Sequence, residues 1–386
     1  MAFFDFSKSV RLARSVITRN SPVYIQYYVT SRCNMNCEQC NIIYAYADVP
    51  EINLEQIRVM AKNLRDIGTC IVLLIGGEPF VRKDLPEIVR IFTQTGIHVR
   101  MQTNGLASRE RLQKCVEAGG KDISISLDIL NIEKQEMING GFRHSYMRAM
   151  QSISDVNTIF PDDGTAFFGT VLMPSNYQDI PNVIRFATAI GWGVSLVPVH
   201  VSSATNPLGF RTYDENLLFP KSLYSKVADV LNECRRLRNA GYTLYDSDEY
   251  LDNMYRFITN EPVQWRRRNG GLCDSPYLYF AIEPDGNLAP CCDHRLARPI
   301  STYDRDFPKW YRQRILHKEV EPFTTNCAGC MYGSYPEMTI TTRFFRPLIR
   351  RTLFFNRKCT PLKRFTLEQI LDIANRINRG EEVVSY

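Results

Sequence analysis

No stretch of the 386 residues approaches the ~18 consecutive apolar positions needed to cross a bilayer. The N-terminus, MAFFDFSKSVRLARSVITRN, is interrupted by Lys8, Arg11 and Arg14 and lacks both the unbroken apolar core and the small-residue cleavage site of a secretory signal. Both absences point to a reducing cytoplasm, where clustered cysteines bind metal or do catalysis more often than they form bridges. Low-complexity tracts and solenoid-type repeats are also missing, so an array architecture is excluded. Acids are missing from residues 338–367, which hold eight bases: Arg343, Arg346, Arg350, Arg351, Arg357, Lys358, Lys363 and Arg364. With a net charge of +6, the remainder carries 6 − 8 = −2, and the basic character belongs to a tail.

What is present is ordinary for an enzyme, with 44% hydrophobic and 23% charged residues, and the length suits one large domain and a smaller one. Apolar, β-rich runs at 23–30, 71–76, 98–103, 122–127, 166–173 and 193–199 alternate with amphipathic stretches. The latter predict helices opening at Asn53 and running over 84–94, 108–118, 144–158 and 179–190. Six strand–helix units predict an α/β fold, a partial (β/α)6 TIM-like barrel with function at the C-terminal strand ends. The expected divisions are an amphipathic segment (1–22), the barrel core (23–210), a helical connector (211–264), a small Cys-rich domain (265–337) and a basic tail with a C-terminal helix (338–386).

The unusual motifs fall at those strand ends. Cys33, Cys37 and Cys40 follow the first strand, GGEP (Gly76, Gly77, Glu78, Pro79) the second, TNG with Asn104 the third, and SLD with Ser126 and Asp128 the fourth. Three thiolates from one loop, with no histidine beside them, fall short of the four ligands of a closed zinc site. They suit an iron–sulfur cluster with one iron left open for a small-molecule ligand. A zinc knuckle with a distant fourth ligand is the structural alternative.

With these residues the chain resembles the radical S-adenosylmethionine (SAM) enzymes over residues ~22 to 210. In that family a C-x3-C-x2-C loop binds a [4Fe–4S] cluster whose open iron chelates SAM. Reduction then releases a 5′-deoxyadenosyl radical that abstracts a hydrogen atom from the substrate. The resemblance implies that Gly76 and Gly77 contact the methionine part of SAM, that Glu78 orients its ammonium, and that Asn104, Ser126 and Asp128 face the ribose or substrate. It also implies a reductant such as flavodoxin or ferredoxin. Gln39 stands where the family commonly has an aromatic residue beside the adenine, so Ile42, Tyr44 or later strands would supply that contact.

Further on, Cys273, the G-x4-C element ending at Cys291, and Cys327 and Cys330 of CAGC resemble the auxiliary-cluster domain of SPASM and Twitch radical SAM enzymes. No cysteine follows in MYGSYPEM (331–338), which implies the one-cluster form, an auxiliary [4Fe–4S] cluster on four thiolates. A zinc ribbon from the same residues is the alternative. Cys292 could replace Cys291 as ligand, or stand free and return a hydrogen atom to a product radical. Cys70, Cys115, Cys234 and Cys359 read as small packed residues or incidental thiols.

An added cluster that removes the second electron favours net oxidation over epimerisation. Asp128 and His200 are the candidate proton acceptors, with Arg143 as an anion clamp; His200 reads equally well as a satisfied core residue. Only residues 1–22 precede the first strand, leaving no room for a cobalamin or peptide-recognition domain ahead of it, so a small-molecule, sugar- or lipid-derived substrate ranks above a peptide. At the ends, Phe3, Phe6, Val10, Ala13 and Ile17 share one helical face, and RFFRPLIRRTLFFNRK interleaves aromatics with arginine. Such segments suit peripheral contact with an anionic membrane or a lipid-linked substrate, or packing against the body, with nucleic acid the least favoured partner. TLEQILDIANRIN opens with a capping box at Thr366 and Gln369 and predicts a closing helix.

Overall fold

The computed structural model describes residues 10, 13–15, 17, 18, 21–40, 49–201, 214–265, 273–358, 362–381 and 383, with backbone only over 355–358. Phe3, Phe6, Ile42, Tyr44 and Cys359 therefore lie outside the described residues, as do the side chains of Arg357 and Lys358.

Six strands, β1 (Tyr24–Thr30), β2 (Ile71–Gly76), β3 (His98–Thr103), β4 (Asp122–Ser126), β5 (Thr165–Leu172) and β6 (Gly193–Pro198), run parallel in chain order. Between them lie α1 (Leu54–Asp66), α2 (Leu85–Gln94), α3 (Arg109–Glu117), α4 (Ile132–Ile138), α5 (Ser145–Ile159) and α6 (Ile180–Ile190). The predicted units are all present, because apolar runs bounded by capping residues specify them. Asn53 caps α1 through a reciprocal pair with Gln56, and Ser108 caps α3. The addition is α4, whose seven residues are too few to show a period.

Beyond the barrel come α7 (Tyr224–Asn239), α8 (Asp248–Ile258), β7 (Tyr279–Ile282), β8 (Leu288–Ala289), α9 (Phe307–Arg312), α10 (Ile315–Thr325), α11 (Ser334–Arg343), α12 (Phe345–Lys358) and α13 (Leu367–Asn378). The hairpin of the Cys-rich region does not stand apart: β7 pairs parallel to β1 from Tyr24 opposite Tyr279, and β8 pairs antiparallel to β7. The sheet order is thus β6-β5-β4-β3-β2-β1-β7-β8. Every residue of β1, flanked on both sides, is buried. The predicted closing helix is α13, with both capping-box bonds formed, packed against α5 and α6.

The basic tail divides. Arg351 forms a buried ion pair with Glu337 at 2.9 Å, and Arg350 pairs with Asp248. On the same helix, Phe345, Leu348, Ile349 and Leu353 remain exposed.

Core helices cover the outside of the sheet; Phe168 of β5 stacks on Phe186 of α6 and lies beside Trp192, each fully buried and each contributing about 2–3 kcal/mol by transfer from water. Inside, the alternate positions of the strands border one cavity of about 780 Å³, reached by residues of all six strands, so the sheet is rolled around it. An ordinary barrel fills this space with layers of branched side chains. Here Ser124, Ser126, Gly169 and Ser195 occupy inward positions of β4 to β6 and leave it open.

The turn after β2 is the tightest approach at the mouth. Gly77 donates its N–H to the Thr30 carbonyl at 2.9 Å and Glu78 donates to the Arg32 carbonyl at 2.8 Å. A Cβ on Gly77 would lie 2.2 Å from the Arg32 oxygen, a backbone atom that cannot swing aside. Gly77→Ala is therefore expected to lower stability by about 2–3 kcal/mol, the cost of forced overpacking. Urea unfolding checks this, and an unchanged midpoint would show that the two loops are not held together as described.

Candidate functional site

The C-terminal ends of β1 to β6 open onto one side of the cavity, and the sequence motifs meet there. Cys33, Cys37, Cys40, Gly76, Gly77, Glu78, Pro79, Asn104, Ser126 and Asp128 all border it. The cysteine loop is braced from below: buried Arg82 donates to the Val29 carbonyl at 2.7 Å and to the Ile52 carbonyl at 2.6 Å, and pairs with Asp84. Arg32 makes two bonds to Glu51, at 2.8 and 2.9 Å.

Among the described residues, no three His, Cys, Asp or Glu side chains converge on a point that would hold a single metal ion. The three loop thiols share a cavity wall and are close enough to raise one another's pKa. Three thiols on one loop suit a cluster in which each thiolate takes its own iron. Burial pushes the Cys37 and Cys33 thiols up, and a positive centre bound there would favour their ionised forms. Cys33 accepts the Met35 N–H at 3.4 Å, and the Asn104 amide lies 3.9 Å from its sulfur.

Glu78 is 1% exposed and ties two loops together, accepting from Phe80 N at 3.0 Å, Thr103 Oγ1 at 2.9 Å and Asn104 N at 2.6 Å. Burial raises its pKa to about 7 against the lowering effect of these bonds. Asn104 donates to Asn34 at 2.7 Å, joining the β3 loop to the cysteine loop.

Asp128 is likewise raised to about 7 by burial, and accepts the Val171 N–H at 2.6 Å. Its other oxygen accepts from Gln39 Nε2 at 3.3 Å, so the residue that replaces the expected aromatic is tied to the fourth strand's end. Among the described residues the buried Gln39 carbonyl oxygen has no hydrogen-bond partner. A group with a pKa near 7 can hold or accept a proton at neutral pH.

Sequence reasoning missed Gln135 and Asn139, one turn apart on α4. Gln135 accepts the N–H groups of Asp128 and Ile129 at 2.9 and 3.0 Å and donates to Asn139, whose oxygen lies 3.9 Å from the Cys37 sulfur. The Asn131 cap was the available signal for α4. Arg143 is corrected: it is exposed and does not border the cavity.

The second cysteine group divides at the Cys291–Cys292 pair. Cys273, Cys291 and Cys327 accept the N–H groups of Ser275, Asp293 and Gly329 at 3.4, 3.3 and 3.3 Å, and Cys330 accepts that of Tyr332. Each sulfur thus takes a backbone donor two residues on, and the group lies close together: Cys327 raises the pKa of Cys273, Cys327 and Cys273 raise that of Cys330, and Cys292 and Cys330 raise that of Cys291. Burial pushes Cys273 up to about 12 and Cys291 and Cys330 well above the thiol range.

Cys292 faces the other way. It borders the barrel cavity, accepts from the Tyr28 hydroxyl at 3.0 Å and donates to Gln26 at 3.3 Å. His200 borders the cavity too, but its ring is stacked 3.9 Å from Tyr332 and both nitrogens are engaged: Nδ1 with the Pro198 carbonyl at 2.8 Å, and Nε2 accepting the Met331 N–H at 3.0 Å. These bonds make it a neutral strut between β6 and the Cys330 loop. Cys70, Cys115 and Cys234 are buried.

Residues 27–187 match the Radical SAM superfamily. The chain is 26% identical over 275 residues to a GTP 3′,8-cyclase of Campylobacter curvus, covering 69% of this chain and 79% of that one. It is 28% identical to an AdoMet-dependent heme synthase of Methanosarcina barkeri, over 45% of this chain and 49% of the relative. A probable GTP 3′,8-cyclase of Archaeoglobus fulgidus is 33% identical over 52% of this chain and 66% of its own. The chain thus spans most of the first relative, just under half of the second and just under two thirds of the third.

Among solved structures, Streptococcus suis SuiB bound to precursor peptide SuiA has a TM-score of 0.59 at 15% identity, covering 81% of this chain and 70% of that one. Native anSMEcpe with bound AdoMet and Cp18Cys peptide has a TM-score of 0.57 at 14% identity, covering 92% and 99%. These two show the fold alone. Residues 27–187, running from β1 into α6, are thus a radical SAM domain, the domain of enzymes that work with a [4Fe–4S] cluster and SAM.

Proposed function

We propose that the enzyme takes a hydrogen atom from a non-peptide metabolite, sugar- or lipid-derived, and carries it to an oxidised product. The supporting observation is that one cavity of about 780 Å³ is bordered by the three-cysteine loop, the GGEP turn and the inward faces of all six strands. That volume is in the range of pockets that enclose a small organic ligand, which ranks a small molecule ahead of a peptide. Bound there, the [4Fe–4S] cluster on Cys33, Cys37 and Cys40 and its SAM would supply a hydrogen-abstracting 5′-deoxyadenosyl group, and an auxiliary [4Fe–4S] cluster on Cys273, Cys291, Cys327 and Cys330 an acceptor for the remaining electron.

The chain's own residues do the rest. Gly76 and Gly77 let the turn lie against the cysteine loop, where Glu78, Pro79, Asn104 and Ser126 border the space for the nucleotide. The unpartnered Gln39 oxygen is placed to accept from an adenine amine, in place of aromatic stacking. Asp128, with its pKa near 7, takes the proton released when a hydroxyl carbon is oxidised. The Cys292 thiol favours a second reading, epimerisation of the substrate in which it would return a hydrogen atom to the opposite face, its thiyl radical then taking one electron from the reductant by way of the auxiliary cluster and one proton from solvent.

Two outcomes are expected. Under reducing conditions with SAM, Cys37→Ala should form no 5′-deoxyadenosine; product at the wild-type rate would overturn the proposal. Anaerobically reconstituted protein should carry about eight irons per chain, falling to about four in Cys291→Ser and staying at about eight in Cys292→Ser. Iron analysis giving the reverse order would make Cys292 the ligand and remove it as a hydrogen donor.

A further inference from the structure

Arg100 is a charged side chain that the reaction above does not use. It is the third residue of β3, paired with Asp122 of β4 and Leu73 of β2, and it points into the cavity. At 3.3 Å per residue its Cα lies about 13 Å below Asn104, towards the floor of the barrel. Its guanidinium lies over the Phe167 ring, 5.5 Å from the centroid, and among the described residues it makes no hydrogen bond or ion pair.

The acids nearby are already spent. Asp122 accepts from Thr165 N and Oγ1 at 2.9 and 2.7 Å and pairs with His98, while Glu337 is held by Arg351. Asp122 is felt by Arg100 only as a carboxylate already shared with His98, and a cation so weakly compensated in a largely apolar cavity is costly unless an anion joins it.

The same cavity has a lower mouth. Ile17, 80% exposed, and Leu348, 40% exposed, border both the cavity and solvent. The mouth continues along α12 over exposed Phe345, Ile349 and Leu353, and the helix carries arginines and no acid. An exposed apolar rim around an opening is a place for an apolar chain, and Arg346 beside it, outside the ion pairs that hold Arg350 to Asp248 and Arg351 to Glu337, suits an anionic surface as its source.

We propose that the cavity takes an anionic amphiphile, with its phosphate or carboxylate on Arg100, its polar head rising towards the cysteine loop and its apolar chain leaving past Ile17 and Leu348. This makes the substrate lipid-linked, and in calling the bound molecule a substrate it rests on the reading of the previous section.

The test is equilibrium dialysis of the anaerobically reconstituted holoenzyme against dodecyl phosphate below its micellar concentration, with inorganic phosphate and neutral dodecyl maltoside as comparisons and no SAM present. Wild-type protein should bind one dodecyl phosphate per chain, about tenfold or more tighter than either comparison. Arg100→Gln should weaken it about tenfold, the loss of a charge-assisted bond, without changing the maltoside result. Leu348→Asp, at an exposed position, should also weaken it.

Equal binding of dodecyl phosphate and inorganic phosphate, or wild-type affinity in a folded Arg100→Gln variant, would overturn the proposal. If Arg100→Gln fails to fold, wild-type affinity in Leu348→Asp is sufficient to overturn it. Because the measurement involves no cleavage of SAM, its failure leaves the Cys37→Ala result standing, and the reverse also holds.

Discussion

The backbone after β2 rests directly on the backbone after β1, two N–H···O bonds joining residues 77 and 78 to residues 30 and 32. At Gly76 and Gly77 a Cβ would come within 2.3 and 2.2 Å of the Thr30 and Arg32 carbonyl oxygens, so the contact exists only without side chains. The glycines therefore have a structural use that precedes any contact with a ligand: they set the height of the cysteine loop over the barrel. Glu78, fixed by that turn, reaches β3 and holds Thr103 and Asn104, and Asn104 reaches back to Asn34. Three loops are thereby locked in a ring, and Asp128 joins it through Gln39.

Electrostatics inside that ring are set by burial. Burial pushes Glu78, Asp128, Cys33 and Cys37 towards their neutral forms, so negative charge on the cysteine loop is costly without a cation beside it. The backbone N–H groups that point at Cys33 and at the four downstream sulfurs lower the cost of negative charge there and would tune a bound cluster's potential. Cys292 instead exchanges hydrogen bonds with a phenol and an amide of β1.

Much of this was legible in the sequence because it is local. Strand limits at 71–76 and 98–103 and the caps at Asn53 and Thr366 follow from short-range patterns, and the motifs announce their loops by falling just after strands. What was not legible depends on contacts across the chain. The pairing of β7 with β1, which draws the Cys-rich hairpin into the barrel sheet, joins residues 24–27 to 279–282 and leaves no local trace. The direction of adjacent Cys291 and Cys292 is fixed by that same hairpin. His200 was ambiguous in the sequence, and its use as a strut depends on a loop 131 residues away.

The interior of the barrel carries the remaining argument. Branched side chains at the positions of Ser124, Ser126, Gly169 and Ser195 would fill the space and bury more apolar area, as barrels ordinarily do. The residues at these four positions of β4 to β6 give up that gain, and β3 sets Arg100 near the floor. A hollow confined to the upper ends would be enough for a nucleotide alone. One that reaches from the cysteine loop to α12 has room for a second, elongated molecule, and the cation at its base and the apolar rim below it define what that molecule's two lower parts must be.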